Sequence, residues 1–522
     1  MTIPGILEEK LSSALKAVLG EELPADFRAS VTPSADLRFG DYQSNAAMVL
    51  AKRCRTNPRA LAQQVADRIG QDAVCSLEIA GPGFINFRIR PEFYAARLLA
   101  MLAVFKYFNF FVPVFAPGVL HKLPFPLGVS FYTFAAISYL VDVGRGDMPA
   151  EESPLNLTAF LCFFGTITAG PICRARTLLP QLRQEHRFDA ARTVTALQLF
   201  ALGLFRKVAV ADPLYTYASQ VFGDIPGHGG LSLLAATLAY TFYLYFDFAG
   251  YSEMARASAL LLGLDIPENF KTPFFATNFS GFWNRWHISL SSWLQDYLFT
   301  PLVWADASKL PLIGRKISRF SPLFCVFCVF FVSGFWHGST LPFVVWGLLQ
   351  ALYRVGEELL HKHLGKPKKK APARVLWAKR LGVFVLWNLS MVFFAMGSAV
   401  GQPAGGPYGV GEAFAILRGY GRGLSLSRFA AESWAAVRAG FYADDRMVLA
   451  WFAFVAFCFV VALRLDWLRA FSFKNKGEEL VLKAQKPRVR WALYYLLTLC
   501  CFAGLVMQSG GFGGGSFAYG GF

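Results

Sequence analysis

Two histidines draw attention through their surroundings. His337 lies in Ser333-Gly-Phe-Trp-His-Gly338, inside an apolar run from Phe324 to Leu352. A histidine in such a run is tolerated best as neutral imidazole, the form that accepts a proton at neutral pH. Gly334 and Gly338 beside it predict room for a substrate to approach the backbone. His287 closes Phe282-Trp-Asn-Arg-Trp-His287, and Ser289, Ser291 and Ser292 follow. That spacing predicts a helix with one polar side, on which His287 and Ser291 share a face. Asp247, Glu253, Arg256, Asn269, Asn284, Arg285, Gln295 and Asp296 crowd the same stretch, 247–302. Polar groups among so many aromatics either line a cavity or pair with each other. General-base chemistry is one reading; a hydrogen-bonded network that locks helices together is the other.

The remaining histidines carry less. His361 and His363 fall in a basic loop, and His121, His186 and His228 are isolated loop residues. Neither an HExxH pair, a phosphate-binding Walker loop nor a G-x-S-x-G elbow occurs. Of the nine cysteines, Cys162, Cys325, Cys328, Cys458, Cys500 and Cys501 lie in or beside apolar runs. They read as packing residues, and Cys325-x-x-Cys328 lacks the second pair that zinc would need. No metal site is expected.

The elements that hold these residues must be membrane helices. Hydrophobic residues make up 55% of the 522 and charged residues only 16%. This excludes a disordered or fibrous chain and predicts a polytopic α-helical membrane protein. Apolar runs occur near 99–118, 124–143, 154–172, 194–222, 231–264, 321–335, 341–355, 380–398, 447–463 and 491–508. Basic loops fall at 173–192, 309–319, 362–380 (with Lys368 to Lys370) and 464–490, which assigns them to the cytoplasm. The stretches 144–153, 223–230 and 399–446, and the Gly- and aromatic-rich tail after Gln508, are then expected outside.

Residues 1–98 read differently. They hold 12 Lys and Arg against 11 Asp and Glu, so the net charge of +17 belongs almost wholly to the membrane part. Ile6, Leu7, Leu11, Leu15, Val18 and Leu19 recur at helical spacing. Further helices are expected at about 45–55 and from Pro58 to about Ile69, with Asn57 as N-cap. Leu77 to Ile89 alternates with period two around Gly81-Pro-Gly83, a hairpin pattern. The expected organisation is a small soluble α+β domain, 1–98, followed by a membrane domain, 99–522.

Residues about 103–522 resemble the membrane-bound O-acyltransferases, in the branch of alginate O-acetyltransferase and teichoic acid D-alanyl transferase. The carriers are Lys106-Tyr-Phe-Asn-Phe110, Leu127-Gly-Val-Ser-Phe-Tyr-Thr-Phe134, Ser138-Tyr-Leu-Val-Asp142, Ala169-Gly-Pro-Ile172 with Arg174, and Phe205-Arg-Lys207 with Ala211-Asp212. Tyr245-Phe-Asp-Phe-Ala-Gly-Tyr-Ser252, Pro267-Glu-Asn-Phe270, Phe282 to Leu290, Asp296-Tyr-Leu298 and Trp336-His-Gly338 follow in the same order. The resemblance implies His337 as the catalytic base and His287 as the second motif histidine. Asp247 and Asn284 are candidates to orient it, and Arg285 and Trp336 to line the substrate tunnel. It also implies a thioester donor such as acetyl-CoA or an acyl-carrier protein, with no bound cofactor. The acceptor would be an exopolysaccharide hydroxyl or a periplasmic acyl carrier, and the location the bacterial inner membrane, with the N-terminal domain cytoplasmic. The membrane helices usual in the branch ahead of Lys106 are replaced in this sequence.

In their place, residues 1–98 resemble the N-terminal tRNA-contacting domain of arginyl-tRNA synthetase. The carriers are Phe39-Gly-Asp-Tyr-Gln-Ser-Asn-Ala-Ala47, Asn57-Pro58 and Ile79-Ala-Gly-Pro-Gly-Phe-Ile-Asn-Phe87. Phe84 and Asn86 match positions that meet a tRNA base, and an aromatic face beside an amide suits an unpaired base. A net charge of +1 argues against strong autonomous tRNA binding. An alternative to the enzyme reading is thus an inactive, rearranged fusion whose N-terminal domain keeps weak tRNA binding. Broken helices with midplane charges also suit a transporter, but no matching halves occur.

Overall fold

The computed structural model describes residues 2–522 except 25, 35, 71, 116–127, 307, 309–318, 339, 365–370, 402–408, 442–444, 475–478 and 510–522. His121, Lys368 to Lys370, most of loop 309–319 and the glycine-rich tail therefore lie outside the described residues. The chain divides into two compact units, residues 1–101 with 139–150, and 102–138 with 151–522. Helix Pro91–Phe115 runs on without a turn at residue 98.

In the first unit, helices Ile3–Leu19, Ala46–Cys54 and Pro58–Ile69 pack on a four-stranded sheet. Its strands are β1 (Thr32–Pro33), β2 (Tyr42–Ser44), β3 (Cys75–Ala80) and β4 (Phe84–Ile89), in the antiparallel order β1-β2-β4-β3. The expected hairpin is β3–β4; the two short strands beyond it lack enough alternation to be read from sequence. Asn57 caps its helix as expected, accepting from the amides of Arg59 and Ala60 at 2.9 and 3.2 Å. Leu7, Leu11, Leu15, Leu50, Leu61, Val65, Ile85 and Phe87 form the core. Gly83 is required where it stands: its φ is +134°, and a Cβ would come within 2.9 Å of the Pro58 backbone.

The second unit is helical. Among its described residues, five helices are long and apolar enough to cross a membrane: Ala190–Gly223, Gly230–Leu261, Ala373–Gly397, Asp445–Ser472 and Pro487–Met507. Gly203 and Gly250 bring the first two together so closely that a Cβ on either would meet the other's carbonyl oxygen at 2.6 Å. The apolar run at 154–172 does not form one helix. It forms Pro154–Leu161 and Phe164–Ile167 and then coil, because the chain folds back where Gly170 packs on the Gly165 carbonyl. The described residues of segment 399–446 include the helices Val410–Gly419 and Leu426–Phe441, which the sequence reading left unassigned.

The π-helical turn Phe205–Ala211 directs Arg206 and Lys207 inward. Lys207 Nζ lies 2.6 Å from Asp247 and 2.8 Å from Asp212. Arg206 bridges Glu253 and Asp466, the latter at 2.6 Å, and Tyr245 donates to Asp466 at 2.8 Å. A second π turn, Leu468–Ser472, presents Arg469 to Glu268. Buried ions at this depth are tolerated as closed pairs.

The described parts of loops 173–192, 362–380 and 464–490 gather at one end of this unit. Gln181 and Asp265 exchange two hydrogen bonds at 3.0 and 2.7 Å, Arg380 donates to the Phe275 carbonyl at 3.2 Å, and Lys483 reaches Thr195 at 2.5 Å. At the other end, Gly230 donates to the Arg422 carbonyl at 2.6 Å. Glu432 there accepts from the Gly229 amide and Ser232, at 2.9 and 2.6 Å, capping the start of Gly230–Leu261.

Candidate active site

His337 is the last residue of helix Pro322–His337, which forms a hairpin with Leu341–Leu364. The two helices touch at Gly334 and Gly347, where a Cβ on Gly334 would lie 2.6 Å from the Phe343 carbonyl oxygen and 2.8 Å from Gly347 Cα. A Cβ on Gly338 would meet the Phe343 ring at 2.6 Å. The glycines beside His337 thus make room for protein rather than for a substrate, contrary to the expectation from sequence. The imidazole is held by rings: Trp346 and Phe394 lie edge-on with centroids at 5.0 and 4.9 Å, and Trp336 lies at 4.8 Å. Phe343 stacks at 6.2 Å.

The single polar-sided helix expected over 282–292 is broken. Helix Phe279–Trp283 ends, and a new one, Ile288–Leu294, begins. Between them His287 takes left-handed backbone angles, φ 44° and ψ 54°. That conformation is uncommon for residues other than glycine and persists where the surroundings impose it. The imposing element is segment 269–271. Ile288 donates to the Asn269 carbonyl and Lys271 to the Arg285 carbonyl, both at 3.0 Å, replacing the helical partners of the turn. The Asn269 side chain accepts from Ser289 Oγ at 2.6 Å and donates to Ser252 at 3.1 Å. Ser289 Oγ accepts in turn from the Ile172 amide at 3.0 Å. His287 Cα is therefore fixed by backbone pairing, and its ring packs edge-on against Phe248 at 4.7 Å.

His287 and His337, both buried, open onto one cavity of about 370 Å³. Ser280, Asn284, Ser291, Gln295, Ser333 and Arg354 supply its polar lining, and Trp283, Trp286 and Phe330 part of its apolar wall. His287 and Ser291 do share it, as expected, though His287 serves as the cap of the helix rather than as part of one face. Along the helix ending at His337, the lining continues to Val326, about 16 Å at the helical rise of about 1.5 Å per residue. Arg354, paired with Glu357 at 3.1 Å, lies on the neighbouring helix far from its Leu341 start. The cavity is a channel with the two histidines toward one end and an arginine toward the other.

Of the other expected site residues, Asn284 lines this cavity, and Asp247, Arg285 and Trp336 stand outside its lining. Asp247 is engaged with Lys207, Arg285 gives its carbonyl to Lys271, and Trp336 packs between Phe134 and His337. Phe84 and Asn86 fall on the face of β4 opposite Ile85 and Phe87; Phe84 is half-buried, Asn86 buried. Sequence reasoning missed Arg354, Ser280 and Ser333 as lining residues. Arg354 follows an apolar run as any flanking arginine would, and only the pairing of helices reveals its place.

Residues 150–396 match the membrane-bound O-acyltransferase family, and residues 5–89 match the arginyl tRNA synthetase N terminal domain. The chain is 36% identical to a probable alginate O-acetylase of Pseudomonas putida over 50% of its own length and 53% of that protein. It is 30% identical to a peptidoglycan O-acetyltransferase of Helicobacter pylori, over 57% of this chain and 60% of that one. With a teichoic acid D-alanyltransferase of Streptococcus thermophilus it shares 30% identity over 51% of this chain and 67% of the other. The chain belongs to the membrane-bound O-acyltransferase family. It spans about half the length of the alginate O-acetylases that it matches.

Proposed function

We propose that this chain transfers an acyl group, acetyl by preference, from a thioester to a hydroxyl, with His337 as general base. The observation that carries this reading is the shared cavity: two histidines from separate elements, each fixed by its own packing, meet at one end of a polar-lined channel. The other end lies toward the basic loops, which the bias of short basic loops assigns to the cytoplasm of a bacterial inner membrane. A thioester of acetyl-CoA or of an acyl-carrier protein would enter there. A channel of about 16 Å accommodates an extended thioester arm, with Arg354, beside Glu357, toward the entrance where the phosphate that carries the arm would lie. The relatives act, by their names, on alginate, peptidoglycan and teichoic acid. The acceptor class is accordingly a hydroxyl of an exported polysaccharide or of a periplasmic acyl carrier.

His337 would take the proton of the attacking hydroxyl, and His287, held rigidly by its cap position, would orient substrate in the channel. The test is acyl incorporation into polysaccharide in cells lacking their own transferase. His337→Gln keeps the size and hydrogen bonding but not the basicity, and should lower transfer by about 10²–10⁴-fold, at normal membrane level. His287→Gln should keep partial activity. Normal acylation by His337→Gln would remove the general-base assignment.

A further inference from the structure

Lys106 lies on helix Pro91–Phe115, and its neighbour Tyr107 sets the register against the helix that ends at His337. Tyr107 donates its hydroxyl to the Phe335 carbonyl at 2.5 Å and stacks on the Phe335 ring at 4.2 Å. Lys106 Nζ is carried over the Trp336 ring, 4.9 Å from its centroid. That nitrogen is shielded from solvent and has no hydrogen-bond partner among the described residues. An ammonium carries three donors. The face of an indole offsets about 2 kcal/mol or somewhat more of a desolvated cation, far less than its hydration. Elsewhere in this unit buried lysine is closed by carboxylates: Lys207 has both Asp247 and Asp212. Lys106 is left open, on the indole that also meets the His337 ring.

A buried donor without a partner, one indole ring away from a base, is an arrangement that can stabilise charge appearing only during reaction. We propose that Lys106 is a catalytic residue of the acyl transfer proposed above, on which this inference rests: its ammonium donates to the thioester carbonyl oxygen as that oxygen becomes negative. The acceptor hydroxyl oxygen bonds to the carbonyl carbon, and its proton passes to His337. The carbonyl π pair moves to oxygen, where Lys106 receives it. Collapse restores the C=O bond and breaks the C–S bond, and the departing thiolate takes the proton back from His337. Lys106 gains and loses no proton in the cycle.

The experiment uses the full chain in proteoliposomes, supplied in parallel with acetyl-CoA and with an acetylated carrier protein, and with alginate as acceptor. Lys106→Met keeps the aliphatic stem and the packing on Trp336 but removes the charge and the donors. It should lower kcat by about 10²–10³-fold with KM little changed, and Lys106→Arg should recover part of the loss. If Lys106→Met is not recovered from the membrane, Lys106→Gln replaces it, with at least a tenfold loss expected. Parental kcat in whichever of these variants folds overturns the inference while leaving the His337 reading intact. An unmutated chain inactive with both donors overturns both readings, and His337→Ala, inactive beside an active parent, separates the two cases.

Discussion

The N-terminal α+β fold closes around Leu7, Leu11, Ala47, Leu50, Leu61, Val65, Ile85 and Phe87, and its ion pairs, such as Lys10 with Asp72 and Arg38 with Asp36, stay at the surface. The membrane unit does the reverse. Its most shielded contacts include Arg206, Lys207, Asp212, Asp247, Glu253, Asp466 and Arg469, joined into closed pairs, and its outward faces carry Leu449, Val460, Leu499 and Phe502. In water an unpaired charge can always be hydrated, so apolar area decides what is inside. Within a bilayer apolar surface gains little from burial, and helices are selected by polar groups that must find each other and by glycines that permit close approach. The same rule makes an open charge such as Lys106 conspicuous in the second unit, where it would pass unnoticed in the first.

The largest effect should come from opening a closed pair. Arg206→Met leaves Glu253 and Asp466 facing each other without their cation. Breaking one side of a buried pair costs about 3–5 kcal/mol. The variant should show reduced membrane yield and a lowered thermal midpoint in detergent. A midpoint equal to the parent's would mean that these ions reach water, and the contrast between the two units would fail. In the N-terminal fold the corresponding vulnerability is volume rather than charge. Leu50, fully buried against the other core residues, should cost about 2–5 kcal/mol on truncation to Ala. Residues 1–98 expressed alone should unfold cooperatively in denaturant, with Leu50→Ala shifting the midpoint and leaving the slope unchanged. A molten, aggregating fragment would show that this core does not suffice by itself.

The parts readable from sequence follow the same division. Helices governed by a repeating apolar face or a cap, such as Pro58–Ile69 behind Asn57, are legible because the signal is local. So are the long spans, where length and apolar content are enough. His337 was legible as a polar residue in an apolar run, and His287 as one of a cluster of polar residues among aromatics. The break at 284–287 was not, because it depends on backbone pairing with 269–271, fourteen or more positions away in the chain, and no residue type announces that exchange. The split of 154–172 could not be located for a related reason: composition leaves a span and short helices both open, and only the approach of Gly170 to Gly165 shows the chain turning back. Asp247 was legible as a charge out of place, but its partner Lys207 sits forty residues away on another helix.

The smallest expected effect lies at the surface pair of the N-terminal fold. Asp72 Oδ2 is 2.6 Å from Lys10 Nζ, and its Oδ1 accepts from the Val74 and Cys75 amides at 2.7 and 3.3 Å. Burial pushes the Asp72 pKa up, but the hydrogen bond from Lys10, the two amides and the Lys10 charge outweigh it and hold the carboxyl below its ordinary value. A folded pKa below the unfolded one contributes stability above the unfolded value of about 3.9, and this is lost as pH falls through the folded pKa. Nearby Cys75 has the opposite sign. Burial, and then the Asp72 charge, push its thiol up to about 11, so its contribution holds below the unfolded thiol pKa and is lost as pH rises toward 11. Asp72→Asn keeps an oxygen for the amides and removes the charge. Because Lys10 is about one-third exposed, the ion pair itself is worth no more than about 1 kcal/mol. In residues 1–98, denaturant midpoints at pH 3, 7 and 10 should show Asp72→Asn flattening the acid arm, with the alkaline arm retained and displaced slightly downward in pH. A loss at pH 7 as large as that of Arg206→Met would mean that position at the surface or inside the membrane unit does not decide what an ion pair is worth.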